Sequence, residues 1–532
     1  MSVRSKLSDT GRRWAALALI VAAMVSLKLA LLAADAVPFN SDEAIVGLMA
    51  RHILHGERPA FFYGQAYLGS TDAWLVSIAF SIIGPSVLAI RLVQIALFAG
   101  TLITTYAVAR RLGLAEPGAR LAVLLMALPP PLLTLYTTAT LGGYGETLFL
   151  GNLLILTARS LGAPHASRIT YSAGSLLRWA LFGLLAGFAF WTFGLILIYL
   201  IPIALWLLHR QRLSAWPGYA VAGLGFAIGS APWWLAFGQM GSALIGELAG
   251  SAVASTVAAP TLLGSLGVRL LNFFVFGAAA WFGLRYPWSP EFIFPLIGLT
   301  IAALYLAALV YAVRRGSRLL WGMIGVLLIV YLTTPFGGDP SGRYFLPLYL
   351  PLSIFTALLI ERLRARQTGW LAGFLVVFLL SYNVVGAARA ALQKPPGITT
   401  QFDAVTWIDH AHDRELIDFL LAQGETHGYT NYWVAYPIAF LSGEQIVSAA
   451  RLPYHLDFRY TRRDDRYLPY TQAVSDSLRA FYVTTNHPRL DALIRERLSE
   501  RSVVFQEKRI GSYQLFYGLS RKVEPEDILA ER

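Results

Sequence analysis

Apolar runs about as long as a membrane is thick recur along this chain, and its arginines gather in the short links between them. A helix needs about 20 apolar residues to cross the hydrocarbon core, and each crossing must satisfy its own backbone because lipid offers no hydrogen-bond partners. The chain is 56% hydrophobic and only 14% charged, whereas soluble domains carry roughly 25% charged residues. An integral membrane protein follows. The formal net charge of +12 would suit a nucleic-acid binder, but the basic residues lie in the links, which is the positive-inside pattern. No nucleic-acid partner is expected. The chain contains no cysteine, which excludes disulfides and thiolate metal sites and leaves the redox compartment undetermined.

The first run, Trp14 to Ala34, follows Arg4, Lys6, Arg12 and Arg13 and lacks a small-residue cleavage site, so it reads as a retained anchor. Val87–Ala109 returns to Arg110-Arg111, and the run after Arg120, broken by Pro129-Pro130-Pro131, goes out again. Tyr144–Leu156 comes back to the basic link Arg159–Arg178. A short hairpin turning near Phe193-Gly194 leads to His209-Arg210-Gln211-Arg212. Trp216–Phe237 then precedes a long outer loop, Gln239–Pro290, holding Glu247, Arg269 and Arg285. Phe292–Val313, Leu319–Thr334, Leu346–Ile360 and Trp370–Ala390 complete the series, with basic links at Arg314–Arg318 and Arg362–Arg366. About eleven crossings place every arginine cluster on the cytoplasmic side. The expected location is the inner (plasma) membrane, with the N-terminus cytoplasmic.

Past Lys394-Pro395-Pro396 the composition turns charged and aromatic. The expected organisation is therefore an all-α polytopic membrane domain over residues 1–394 and a small α/β extracytoplasmic domain over 395–532. Periodicity predicts helices over Arg414–Gln423 and His487–Arg501, a strand over Ala480–Thr485, and a hairpin of Ser502–Lys508 with Tyr513–Gly518.

The first outer loop carries the adjacent acids Asp42-Glu43. A carboxylate at the bilayer centre costs roughly 2.5–3.5 kcal/mol, but at the boundary it keeps its water and its charge. Residues 42–54 have helical apolar spacing, which predicts an amphipathic interfacial helix with Ser41 as N-cap. Thr71–Ile83, too short to span comfortably, reads as a second interfacial helix. The two acids are either a helix cap or a catalytic pair. Successive helical residues point about 100° apart, so in the second reading only one of them takes a proton.

Arg343 stands in a Gly/Pro-rich outer link, against the topological bias, followed by Tyr344. It is a snorkelling arginine or a phosphate clamp. Arg51 has the same two readings. Gln65, Tyr67, Asp72 and Glu146 are polar or aromatic groups suited to a sugar, and equally to interfacial anchoring or hydration. In the C-terminal part, Asn431-Tyr432-Trp433 and Tyr436 fit a strand and core role or an acceptor contact. No Walker loop, zinc spacing or phosphate-cradling glycine fingerprint is present.

Several stretches together carry a family likeness. They are Ser41-Asp42-Glu43-Ala44, then Ala50-Arg51-His52-Ile53-Leu54-His55-Gly56-Glu57, Phe62-Tyr63-Gly64-Gln65, many spans, and Gly342-Arg343-Tyr344 with Leu346-Pro347. This order resembles the GT-C class of polytopic glycosyltransferases, most of all its protein O-mannosyltransferase and lipid A aminoarabinose transferase branch. The resemblance implies a polyprenyl-phosphate sugar donor and transfer with inversion on the outer face to an envelope acceptor, whether protein, lipid or polysaccharide. It implies Asp42 as the loop acid with Glu43 beside it, and Arg343 as the phosphate-binding arginine. Some members use a divalent metal (Mg or Mn) and some none, so the cofactor stays open; any metal would fall to Asp42 or Glu43. The rival reading is a polytopic transporter or lipid-linked-sugar flippase. Transporters favour inverted repeats and mid-membrane polar sites, and neither is visible here.

Overall fold

The computed structural model describes residues 3–161, 172–249, 262–287, 289–365, 369–393, 397–401 and 405–529. Most of the Arg159–Arg178 link, part of the Gln239–Pro290 stretch and the expected boundary at Lys394-Pro395-Pro396 lie outside them. The chain divides into two compact units. The first comprises Met1–Val37, Tyr67–Gly69 and Arg91–Leu392, and the second Pro38–Ala66, Ser70–Ile90 and Gln393–Arg532. The first outer loop therefore groups with the C-terminal residues.

The first unit is helical. Among the described residues, eight helices are long and apolar enough to cross a membrane, or nine counting the pair Leu213–Gly229 and Ala231–Met240, bent by 65°. The hairpin near Phe193-Gly194 is present, as Ala173–Thr192 and Gly194–Gln211. Glu116–Ala127, Tyr144–Leu161 and Arg318–Thr333, read from sequence as crossings, are helices too, but shorter or more polar.

One expectation is corrected. The supposed loop Gln239–Pro290 contains the apolar helical stretch Leu263–Trp281, of crossing length. Arg269 and Asn272 make it look like a loop, but both are met internally. Arg269 donates to the Leu332 carbonyl at 2.7 Å and Asn272 to the Gly337 carbonyl at 2.9 Å.

Other buried polar groups are satisfied in the same way. Lys28, on the first span and 2% exposed, donates to the Thr137 carbonyl at 2.7 Å and to the Thr137 and Thr138 hydroxyls at 2.8 and 2.7 Å. Asn152 donates to the Thr101 carbonyl and to the Thr104 and Thr105 hydroxyls of the Val87–Arg111 helix.

Helices Ala173–Thr192 and Trp216–Gly229 pack backbone to backbone. A Cβ on Gly183 or Gly187 would overlap the Ala222 or Phe226 carbonyl, and one on Gly225 or Gly229 would overlap the Ala180 or Leu184 carbonyl. Two small-x-x-x-small pairs thus face each other, the arrangement by which membrane helices gain van der Waals contact.

In the second unit a five-stranded sheet runs in the order Val447–Ala450, His427–Thr430, Phe481–Thr485, Tyr513–Tyr517, Gln506–Ile510. The first three strands are parallel and the last two pair antiparallel. Helix Pro488–Glu500 supplies Leu490, Ile494 and Leu498 at helical spacing to a core with Tyr482, Val503 and Phe516. The hairpin, the Phe481–Thr485 strand and both expected helices are present. Tyr432 differs from expectation, because it opens the helix Tyr432–Leu441 rather than lying in a strand. The Asn431 side chain caps that helix by accepting from the Trp433 N–H at 2.9 Å.

The glycine seam yields a test. Gly187→Leu should force the two helices apart, lowering the melting temperature in detergent by several degrees. Gly223→Leu, on the same pair but with nothing within 4 Å of its Cβ position, should melt like the wild type.

Candidate functional site

Helix Ser41–Leu54 starts one residue earlier than the sequence suggests. Asn40, not Ser41, is the N-cap, its side chain accepting from the Glu43 N–H at 3.2 Å. Ser41 instead donates its hydroxyl to the Tyr432 carbonyl at 2.6 Å. The helix is also more buried than an interfacial amphipath, packing on Thr71–Ile83 and Tyr432–Leu441. At Gly47 a Cβ would lie 2.6 Å from the Phe440 ring, so only glycine admits this approach.

The two acids separate as helical geometry requires. Glu43 is fully buried, whereas Asp42 is half-buried. The Tyr432 hydroxyl donates to Asp42 Oδ1 at 2.5 Å. Burial, then the Asp42 charge, pushes the Tyr432 phenol well above its ordinary value, so it remains a donor. The Arg466 guanidinium stands 5.4 Å from the Tyr432 ring centre. Asp464, 8% exposed, lies within electrostatic reach of both Arg466 and Asp42.

The C-terminal half of the same helix carries a separate network. His52 Nε2 is 2.8 Å from Glu444 and Nδ1 is 2.9 Å from the Tyr63 hydroxyl. Tyr470 donates to Glu444 at 2.6 Å. Burial pushes the Glu444 carboxyl up, but the hydrogen bonds from His52 and Tyr470 and the His52 and Arg51 charges outweigh it and hold the group below its ordinary value. Arg51 lies over the Phe440 ring at 4.2 Å. Gln65 and Asp72 are buried, Asp72 in the first turn of Thr71–Ile83.

In the first unit, Gly342 adopts a left-handed φ of 83° and delivers Arg343 to the 3-10 turn Arg343–Leu348. Arg343 Nε is 2.7 Å from Asp339 Oδ2, and its Nη2 donates to the Tyr344 hydroxyl at 3.1 Å. Asp339 Oδ1 accepts the Ser341 N–H at 2.8 Å. Arg285 fastens the neighbouring chain, donating to the carbonyls of Phe276, Tyr286, Ser289 and Pro340. Burial lowers the Arg285 guanidinium to about 10, against the pull of Asp339.

Tyr344 also lines an almost wholly apolar cavity of about 190 Å³, together with Tyr67, Phe193, Leu327, Tyr331 and Phe336. Glu146 is buried in the first turn of Tyr144–Leu161 and accepts from Gln94 at 3.4 Å.

The expected residues thus fall into two groups. Asp42, Glu43, Arg51, Gln65 and Asp72 belong to the second unit, and Tyr67, Glu146, Arg343 and Tyr344 to the first. Among the described residues no three or more His, Asp or Glu side chains are arranged to hold a metal ion. Sequence reasoning did not single out Asp464 and Arg466. Their only linear signal is the charge run Arg462-Arg463-Asp464-Asp465-Arg466, which says nothing of Asp42.

Asp464 makes stability depend on pH. Burial pushes its carboxyl up, Arg466 pulls it down and Asp42 pushes it up again, leaving it at about 6. An unfolded Asp titrates near 3.9, so between about pH 4 and 6 the folded state holds the extra proton, and stability falls as pH rises through that window. Asp464→Asn removes this loss, which is about 3 kcal/mol at 1.36 kcal/mol per unit. Its melting temperature should gain on the wild type from pH 4 to pH 7 and then level off. A gap that stays constant with pH would contradict the assignment.

No family model matches the chain, and no curated protein does either. Solved structures do. ArnT from Cupriavidus metallidurans bound to undecaprenyl phosphate aligns with TM-score 0.55 at 13% identity, over 94% of this chain and 97% of that one. The same protein in the apo state gives 0.56, also at 13% identity, over 96% and 98%. The archaeal oligosaccharyltransferase AglB from Archaeoglobus fulgidus, in complex with an inhibitory peptide and a dolichol-phosphate, gives 0.51 at 13% identity, over 97% of this chain and 74% of that one. With its apolar helices and its C-terminal sheet, the chain is a multi-pass membrane protein with the GT-C fold.

Proposed function

We propose that the chain is a membrane glycosyltransferase that moves a sugar from a polyprenyl-phosphate donor to an acceptor hydroxyl on the extracytoplasmic face. The observation that carries this is the join at Tyr344. Its hydroxyl accepts from the Arg343 guanidinium, and the same residue lines the apolar cavity. A cation beside a greasy pocket suits an amphiphile whose isoprenoid end enters the cavity and whose phosphate meets the guanidinium, a donor with five N–H groups of which Asp339 engages only part.

The chemistry is a single in-line displacement. The acceptor oxygen attacks the anomeric carbon as the bond from that carbon to the phosphate oxygen breaks, inverting the configuration. The electron pair leaves with the polyprenyl phosphate. Its second pKa lies near 6, so the phosphate needs a cation rather than a proton, the role assigned to Arg343. Asp42 takes the proton from the attacking hydroxyl. Glu43, buried behind it, keeps the helix start acidic. Gln65, Tyr67, Asp72 and Glu146 are the groups proposed to hold the sugar, and Arg51 is a second, weaker candidate for phosphate.

The test is transfer of a labelled sugar from a synthetic polyprenyl-phosphate donor to envelope material by purified protein in bilayers. General-base removal typically costs 10²–10⁴-fold, so Asp42→Asn should lose about that much in kcat. Arg343→Ala should raise KM for the lipid donor and lower kcat, with Arg343→Lys intermediate. Wild-type rates in both Asp42→Asn and Arg343→Ala would end the proposal. Lipid-linked sugar counterflow without covalent transfer would favour the transporter reading.

A further inference from the structure

We infer that Tyr432, from the C-terminal part of the chain, is a positioning residue for the reaction and acts by holding the Asp42 carboxylate in register. The inference rests on the reading of Asp42 as the base.

The separation along the chain is 390 residues, and the contact is the side-chain hydrogen bond to Asp42 at 2.5 Å. A carboxylate has two oxygens, and only the one aimed at the acceptor hydroxyl can take its proton. Tyr432 engages Oδ1 and thereby assigns that task to Oδ2. Fixing the rotation of a short side chain matters because general-base transfer needs the acceptor atom within about 2.6–3.2 Å of the proton's donor, and small misplacements are costly.

The phenol is not what docks the two helices. The Ser41 hydroxyl bonds the Tyr432 backbone carbonyl, and Phe440 closes on Gly47 farther along. These contacts survive loss of the hydroxyl. The ring itself is held edge-on by Trp433 and Tyr436 at 5.1 and 5.6 Å, and Arg466 stands over it. What the hydroxyl uniquely touches is Asp42.

The neighbouring charges support the same role. Asp464 and Asp42 repel one another, and Arg466 attracts Asp464. Tyr454 is also within electrostatic reach of Asp42, Asp464 and Arg466. Without a fixed donor, the Asp42 carboxylate would be free to swing away from Asp464. Tyr432 prevents this with a neutral group, so the base keeps its charge.

The experiment is a double-mutant cycle in the transfer assay. Tyr432→Phe keeps the ring and its packing. It should melt within a degree or two of the wild type, lower kcat about 10- to 100-fold, and leave KM for the lipid donor within about twofold, since pairs acting as one unit are non-additive. In the Asp42→Asn background the same change should cost nothing further. A full-rate Tyr432→Phe alongside a dead Asp42→Asn overturns this inference alone, as does an undiminished effect of Tyr432→Phe in the Asp42→Asn background. A full-rate Asp42→Asn overturns the base assignment beneath it. A rise in KM with unchanged kcat would make Tyr432 a substrate contact and overturn the positioning role.

Discussion

In a membrane every buried polar group must find its partner inside the protein, and this chain is arranged around that demand. The Lys28 ammonium is met by the Thr137–Thr138 turn, the Asn152 amide by three groups of a neighbouring helix, and Arg269 and Asn272 by the open carbonyls of the Leu332–Gly337 stretch. Each bond links segments distant in sequence, and each is directional. Polar pairing therefore fixes which helices meet and in what register, while the apolar residues set only that they lie in the membrane. The glycine seam between Ala173–Thr192 and Trp216–Gly229 does the same by shape.

The overall class was legible because lipid imposes so strict a rule on length and composition. Hairpins, basic links and the C-terminal strands and helices followed from periodicity. The Leu263–Trp281 helix was not legible, because Arg269 and Asn272 look like loop residues until their partners are known. Asn40 was missed as the cap because three adjacent residues, Asn40, Ser41 and Asp42, are all good N-cap types. At the candidate site, Asp42 and Arg343 stood out as charges in unusual places. Tyr432 did not, since one tyrosine in an aromatic run gives no hint of a partner hundreds of residues earlier.

The division of the chain bears on the chemistry proposed. The loop that carries Asp42 groups with the C-terminal sheet, and the turn that carries Arg343 belongs to the helical unit. The proposed base and the proposed phosphate clamp are thus built by different bodies of the protein. The base takes its environment from the Tyr432–Leu441 helix and the 464–466 turn. The clamp takes its environment from Asp339, Tyr344 and the apolar cavity. Residues of the outer domain therefore shape proton transfer as directly as those of the spans shape lipid binding.

Lys28 has a consequence for biogenesis. The first helix reaches the insertion machinery alone, yet the hydroxyl that completes the ammonium's coordination lies 110 residues downstream. Until that segment has been synthesised and threaded in, the leading helix carries a charge whose placement in lipid is costly. Its early residence in the bilayer must be shallow or aided, and it settles only when the later turn arrives. A single buried amine thus makes maturation of the leading segment wait on translation of a distant one.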